Sequence, residues 1–296
     1  MTVLIFPVTP PAPYGIMKTD LAARPGAPFQ GPTNSLQMML MNICIGLLAG
    51  FFGGITGGGG GIISIPLMVA FLKLDQHASH GTSLVALVFT GLAGAVTYAL
   101  NGSVDFAASI LIAVTAVGTA RAGAHFAHSL PEWKLKRAFG GYMLVVSALM
   151  LLKPYLGTPQ TLMVGAARTI VLLATGAVAG FASGMMGVGG GAIMIPAMVL
   201  LAGFDQHIAQ GTSLLVMVPA GGMGAYTHWK LGNVRTGILP GIISGVLVGT
   251  WLGGTFAQVL SDTVLRVIFA VLLTWTGIRY LRTRPASEPG RAPVKS

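Results

Sequence analysis

The chain has 296 residues, 53% of them hydrophobic and only 8% charged, with a net charge of +10 and a mean hydropathy of +0.78. A soluble domain carries about 25% charged residues, so this chain has too few charges to cover a solvated surface. Disorder needs the reverse composition, which leaves an integral membrane protein.

The cations lie between apolar runs, so they read as topology signals and no nucleic-acid partner is expected. Cys44 is the single cysteine and lies inside an apolar run. It excludes an intrachain disulfide and a cysteine metal cluster, and it reads as an inert packing residue.

Residues 1–35 are Pro-rich and lack the basic start and clean apolar core of a signal peptide, so a flexible tail is expected. Between this tail and a basic tail at 282–296, no Asp, Glu, Lys or Arg occurs in 36–72, 76–104, 106–120, 138–152, 169–204, 206–229 or 236–261. A span needs about 20 apolar residues. The stretches 36–72 and 169–204 exceed that, and each holds a glycine cluster, Gly57–Gly61 or Gly187–Gly191. Glycine destabilises a helix interior by about 1 kcal/mol. Each cluster is therefore expected to break a helix into a long arm and a short one.

The chain repeats itself. Shifted by 130 residues, 47–84 matches 177–214 at 20 of 38 positions without a gap. Asp75-Gln76-His77 recurs as Asp205-Gln206-His207, and Gly81-Thr82-Ser83-Leu84 as Gly211-Thr212-Ser213-Leu214. Five helices per unit are predicted. The first unit, within 36–160, has them at 36–54, 60–73, 81–100, 105–126 and 135–152. The second, within 161–281, has them at 166–184, 190–203, 211–229, 236–258 and 263–281. This is an all-α polytopic membrane protein of about eight full spans and two short half-helices. An odd number per unit inverts the second copy relative to the first. Counting each broken pair as one crossing would instead give four helices per unit and parallel copies. Charge favours five: that topology puts 14 of the assigned Lys and Arg on one side and only Lys153, Arg168 and Arg266 on the other. Both termini are then cytoplasmic. Pro219 and Pro240 are expected as kinks in the second unit.

Gly54-Ile55-Thr56-Gly57 through Gly61 with Pro66, and Gly184-Met185-Met186-Gly187 through Gly191 with Pro196, resemble the sulfite exporter TauE/SafE family. The Gly-Thr-Ser-Leu pairs and the Gly102-Ser103-Val104-Asp105 turn fit the same pattern, over roughly 36–281. The resemblance implies a bacterial inner-membrane transporter of small anions, typically sulfite or organosulfonates. One departure is that His228 and Arg235 stand where the first unit has Tyr98 and Asp105.

A helix N-terminus carries about half a positive charge and N–H groups without helical partners, which suits an anion. Two opposed breaks are expected to hold one small anion at Gly57, Gly58, Gly59, Gly60, Gly61, Gly187, Gly189, Gly190 and Gly191. The alternative is that these glycines only permit close helix packing. Thr56 and Ser64 flank the first cluster as further donors, unless they bond their own helix. Thr82, Ser83, Thr212 and Ser213 are expected at helix starts, as caps or as anion contacts. Asp75, His77, Asp205 and His207 are candidates for proton coupling, or are residues that end the short arms at the water boundary. Arg121, His125 and His128 share one helix face at the cytoplasmic end, either at an anion's mouth or as a snorkelling, solvated end. Lys134, Lys136 and Arg137 read as an interfacial anchor. No P-loop, catalytic triad or metal-ligand spacing is present, so no enzyme, cofactor or metal is expected. The function read from the chain is a secondary transporter, expected to act as an exporter, that moves a small anion by alternating access. An anion channel and a non-transporting assembly or anchoring protein are the alternatives. The partners are the small anion, the lipid bilayer, a coupling proton or sodium ion, and a second copy in a homodimer that the small-residue-rich helices admit.

Overall fold

The computed structural model describes residues 35–126, 132–155, 165–187 and 189–283. Both tails as far as residue 34 and from residue 284, and His128, lie outside the described residues. The elements are α1 (Ser35–Thr56), α2 (Gly61–Phe71), α3 (Gln76–Leu100), α4 (Phe106–Phe126), α5 (Glu132–Leu152), α6 (Ala166–Met186), α7 (Gly191–Leu200), α8 (Gln206–Lys230), α9 (Leu239–Gln258) and α10 (Asp262–Leu281). Among the described residues there are thus eight helices of 20–25 residues, with α2 and α7 only 11 and 10 residues long. Six of the long ones, α1, α3, α4, α6, α9 and α10, are long and apolar enough to cross a membrane. Outward-facing Val114, Ile170 and Trp251 belong to their lipid-facing surface.

The two five-helix units pack as an inverted pair. A β-carbon placed on Gly46, Gly50 or Gly54 of α1 would lie 2.2, 2.5 or 2.6 Å from the carbonyl oxygens of Ile242, Val246 and Thr250 of α9. The shift by 130 maps these contacts onto Gly176, Gly180 and Gly184 of α6, which meet the carbonyls of Ile112, Ala116 and Ala120 of α4 at 2.2, 2.3 and 2.0 Å. Both pairs are parallel and in contact backbone to backbone, the small-residue packing that replaces hydrophobic drive inside lipid. α3 and α8 cross antiparallel at the centre: Gly81 packs on Asn233 and Gly211 on Ser103, contacts that the shift exchanges. An exchange of this kind is a two-fold relation.

Two expectations shift. α3 and α8 begin at Gln76 and Gln206, five residues earlier than the uncharged pattern implies, because Asp75 and Asp205 take the N-cap positions. Asp75 Oδ1 accepts from Ala78 N at 2.8 Å. Thr82, Ser83, Thr212 and Ser213 therefore lie inside their helices, almost completely buried, and do not cap them. Pro240 sits in the first turn of α9, after the 3₁₀ turn Thr236–Ile238. A proline at that position costs no helical hydrogen bond, so it starts the helix rather than kinking it.

The half-helices differ in surroundings. Eight of the ten residues of α7 are buried, against four of the eleven of α2. α7 runs through the largest apolar cluster, where Met194, Ile195 and Met198 meet Ile112, Met143, Val216 and Phe269.

Candidate functional site: two converging half-helices

The two breaks share one backbone form. Gly57, Gly59 and Gly60 have φ of +64°, +87° and +68°, and Gly187, Gly189 and Gly190 have +66°, +93° and +68°. Residues with a β-carbon rarely adopt such values. The turn reverses the chain, and a β-carbon on Gly60 would lie 2.3 Å from Ala49 O, so α2 folds back beside α1. Each short helix thus starts deep in the bundle. α2 runs back to the cytoplasmic face and α7 to the opposite one.

The breaks touch. A β-carbon on Gly191 would lie 2.8 Å from Gly58 Cα and 3.0 Å from Gly57 O. Leu87 and Met217, equivalent under the shift, fill the space beside them. Leu87 Cδ1 lies 2.9 and 2.4 Å from the β-carbon positions of Gly59 and Gly189, and Met217 Sδ lies 2.8 Å from that of Gly59. In α2 the first N–H groups bonded to a backbone acceptor are those of Ile63 and Ser64, both on Gly60 O. Ile193 and Met194 repeat the pattern on Gly190 O in α7. The N–H groups before them point out of the helix start, where the dipole is positive. The void left at this meeting point is about 20 Å³, beside Thr56, Gly58, Gly60 and Phe269. That volume holds roughly one water molecule.

The hydroxyls are divided among several tasks. Thr56 Oγ1 donates to Phe52 O at 2.6 Å and accepts from Gly58 N at 3.3 Å, so it steadies the first turn of the break. Ser64 and Ser83 share a hydrogen bond of 2.8 Å. Met194 replaces Ser64 in the second unit, and Ser213 Oγ is left buried without a partner. Thr82 Oγ1 accepts from Arg235 N at 3.1 Å, and Thr212 Oγ1 accepts from Asp105 N at 3.0 Å. These two bonds are one contact seen twice through the two-fold, and they tie each unit's central helix to the other unit's loop.

The repeated Asp and His residues do not act alike. Asp75 caps α3 and lies 3.8 Å from Arg235. His77 is exposed. His207 Nδ1 is 2.5 Å from Asp262 Oδ1, and Asp205 lines an open pocket on that same outer face. Arg168 pairs there with Asp105 at 3.3 Å and stacks on Phe204 at 4.5 Å. Lys153 Nζ donates to Val199 O, at the end of α7, at 2.9 Å. Burial, and then the Arg266 guanidinium, lower the pKa of this ammonium, while Asp205 and Asp262 act against the shift. Arg121 is exposed at the cytoplasmic end of α4. Among the described residues, no group of three His, Cys, Asp or Glu has metal-binding geometry.

Sequence reasoning missed the residues that face the breaks from α3 and α8. Gln210 packs on Gly57, and its equivalent His80 packs on Gly187. The Tyr98 hydroxyl lies 2.9 Å from Gly54 O and 3.0 Å from Gln210 Oε1. Its equivalent His228 has Nε2 3.5 Å from Gly184 O. The sequence offers only that the residue type changes between the copies at these positions, His80 against Gln210 and Tyr98 against His228. Gln206, Gln210 and Ser213 fall at i, i+4 and i+7 on α8, are almost completely buried, and carry polar atoms without partners. Tyr98→Phe is expected to lower stability by about 1–3 kcal/mol, since it leaves a carbonyl and an amide end unsatisfied. It should weaken anion binding as well. Paired thermal melts with and without anion check both effects, and an unchanged melt would remove the hydroxyl from this role.

The chain is similar to known membrane proteins over most of its length. A family model described as "Sulfite exporter TauE/SafE" matches residues 42–280. The chain is 25% identical to "Probable membrane transporter protein YunE" of Bacillus subtilis, over 81% of this chain and 96% of the relative. It is 28% identical to a "Probable membrane transporter protein" of Xylella fastidiosa, over 81% of this chain and 93% of that one. A third relative, "Probable membrane transporter protein YdhB" of Bacillus subtilis, is 25% identical over 80% of this chain and 95% of its own length. No solved structure matches. With a family model spanning both glycine breaks and full-length transporter relatives, the chain belongs to the sulfite exporter TauE/SafE family and is a multi-pass inner-membrane transporter.

Proposed function

We propose that this protein exports a small sulfur oxyanion or organosulfonate, such as sulfite, by alternating access around the meeting point of α2 and α7. The observation that carries this reading is the convergence of two half-helix N-termini at one point within the bundle. The glycines there leave the backbone open to close approach, and two positive dipole ends face one location. The binding set begins with Gly57–Gly61, Gly187 and Gly189–Gly191. Thr56 and Ser64 act at the first break, and Ser83 and Ser213 act from the central helices. Thr82 and Thr212 hold the loops that must move. His207, paired with Asp262, is the residue we assign to proton coupling; Asp75, Asp205 and His77 lie at the helix starts around it and its counterpart.

Two further features favour transport over a purely structural role. An inert packing protein gains nothing from burying the unpartnered polar atoms of Gln206, Gln210 and Ser213, each of which costs about 1–3 kcal/mol. The unlike burial of α2 and α7 describes one end state, and an inverted repeat reaches the other when its two units exchange conformations.

Proteoliposome counterflow tests the reading. Radiolabelled sulfite should accumulate in vesicles preloaded with unlabelled sulfite, saturably, and chloride should not substitute for it. In the purified protein, sulfite at 100 times its dissociation constant should add about 2.7 kcal/mol of stability. Absence of both counterflow and stabilisation, across sulfite, thiosulfate, sulfoacetate and taurine, would remove the sulfur-anion assignment.

A further inference from the structure

The half-exposed helix α2 borders a cleft of about 210 Å³ that also takes side chains from α3, α5 and α10. Its floor is Gly61, the first residue of α2. One wall is Pro66 and Val69 further along the same helix, and its mouth is Lys136, Arg279 and Thr283. The cleft therefore runs from the cytoplasmic ends of α5 and α10 along α2 to the glycine break. We infer that it is a cytoplasmic loading site for small mono- and divalent oxyanions, with Lys136 and Arg279 as the cations that receive them. The inference rests on the transporter reading above and adds to it an entry site whose inner end, Gly61, belongs to the central one.

Three observations carry it. First, among the described residues the charged groups that line the cleft, Lys136 and Arg279, are cationic, and its inner end is a helix N-terminus. Second, the volume suits a small oxyanion or a short sulfonate and is below the roughly 300 Å³ at which drug-sized sites begin. Arg279 is held at the mouth by its stacking on Trp275, with the guanidinium carbon 5.7 Å from the ring centre. The Arg137–Thr283 bond of 3.1 Å ties the starting turn of α5 to the end of α10 beside it.

Third, the other unit carries a related arrangement in a shut form, with Leu149 in the place of Arg279 and its second cation, Lys153, in the place of Thr283. The shift by 130 maps Lys136 onto Arg266, Thr283 onto Lys153 and Val69 onto Val199. On that side Lys153 bonds Val199 O, α7 is buried, and Asp205 and Asp262 lie close enough to act on the Lys153 charge. Each face therefore has two cations at the end of a half-helix. The cytoplasmic pair lines a cleft that reaches the break.

The test uses the purified full-length chain with sulfite and methanesulfonate as probes, and chloride at equal ionic strength as the control. Lys136→Gln and Arg279→Gln should each weaken sulfite binding about tenfold, the usual loss for one charge-assisted hydrogen bond. Both should also flatten its salt dependence, while Arg279→Lys keeps most of the affinity. Reactivity at Val69→Cys, in a Cys44→Ala background, provides a readout that leaves the cations in place. An anionic thiol reagent should react faster there than a neutral one of equal size, and sulfite should slow it. Wild-type affinity and salt dependence in both Lys136→Gln and Arg279→Gln, or equal reactivity of the two reagents without protection, would overturn the loading site. The central site would still stand if Gly59→Leu abolishes counterflow. Failure of every anion to bind the wild-type protein would overturn the transporter reading, and the loading site with it.

Discussion

Gly249→Val is expected to prevent α1 and α9 from packing and to leave little folded protein. A β-carbon at position 249 would lie 2.2 Å from Leu47 O and 2.9 Å from Phe51 N. These are backbone atoms, so no rotamer change can relieve the clash, and the helices must separate. The neighbouring contacts at Gly245 with Ile43 O and Gly253 with Phe51 O, each 2.1 Å, would be lost in the same movement. Overpacking a core by a methyl or two costs about 1–3 kcal/mol where side chains can adjust. A ridge of backbone contacts should exceed that range and consume much of a total stability of about 5–15 kcal/mol. Gly180→Val in α6 should do the same, because the two-fold makes its contact with Ala116 equivalent to that of Gly50 with Val246. Gly222→Ala is the control, since nothing lies within 4 Å of its β-carbon position. Fluorescence-detected size exclusion and thermal melts in detergent read the difference. A monodisperse Gly249→Val protein with a wild-type melt would show that this face does not hold the bundle together.

Gly59→Leu and Gly189→Leu are expected to abolish anion transport with the chain still inserted and folded. The φ values there, +87° and +93°, place any side chain in a sparsely populated region that costs about 1–3 kcal/mol. The first neighbours a side chain would meet are the tips of Leu87 and Met217 at position 59 and the tip of Leu87 at position 189, which can move, with Gly58 O 3.3 Å away at the latter. The protein should therefore survive while the convergence point fills with leucine. Counterflow should fall to background in each variant, and stabilisation by sulfite should disappear. Paired measurement of insertion, melt and counterflow separates this from misfolding. Full counterflow in both variants would rule out the glycine breaks as the anion site.

The site was only partly legible. The repeat announced the breaks, since glycine clusters in runs too long for one span can mark nothing regular. Which hydroxyls face the breaks was not legible, because Thr82 and Ser83 are adjacent in sequence yet have different partners. Thr82 meets Arg235 across the two-fold, and Ser83 meets Ser64 within its own unit. The N-caps were missed for a related reason. Asp75 and Asp205 were weighed as ionisable groups, although an Asp before a long uncharged stretch is also a strong helix start.

The sequence by itself determined that the protein lives in a membrane, that it is duplicated and where each copy breaks, and its charge asymmetry favoured inverted copies. Composition, spacing and charge asymmetry are properties of the chain and need no partner across space. The tertiary structure alone decided that the breaks touch, that Gln210 and His80 face them, and that α2 borders a cleft while α7 is buried. These follow from how two nearly identical units settle against each other, at energies that depend on atoms distant in sequence. Identical motifs at Gly57–Val69 and Gly187–Val199 carry no record of which half stands open.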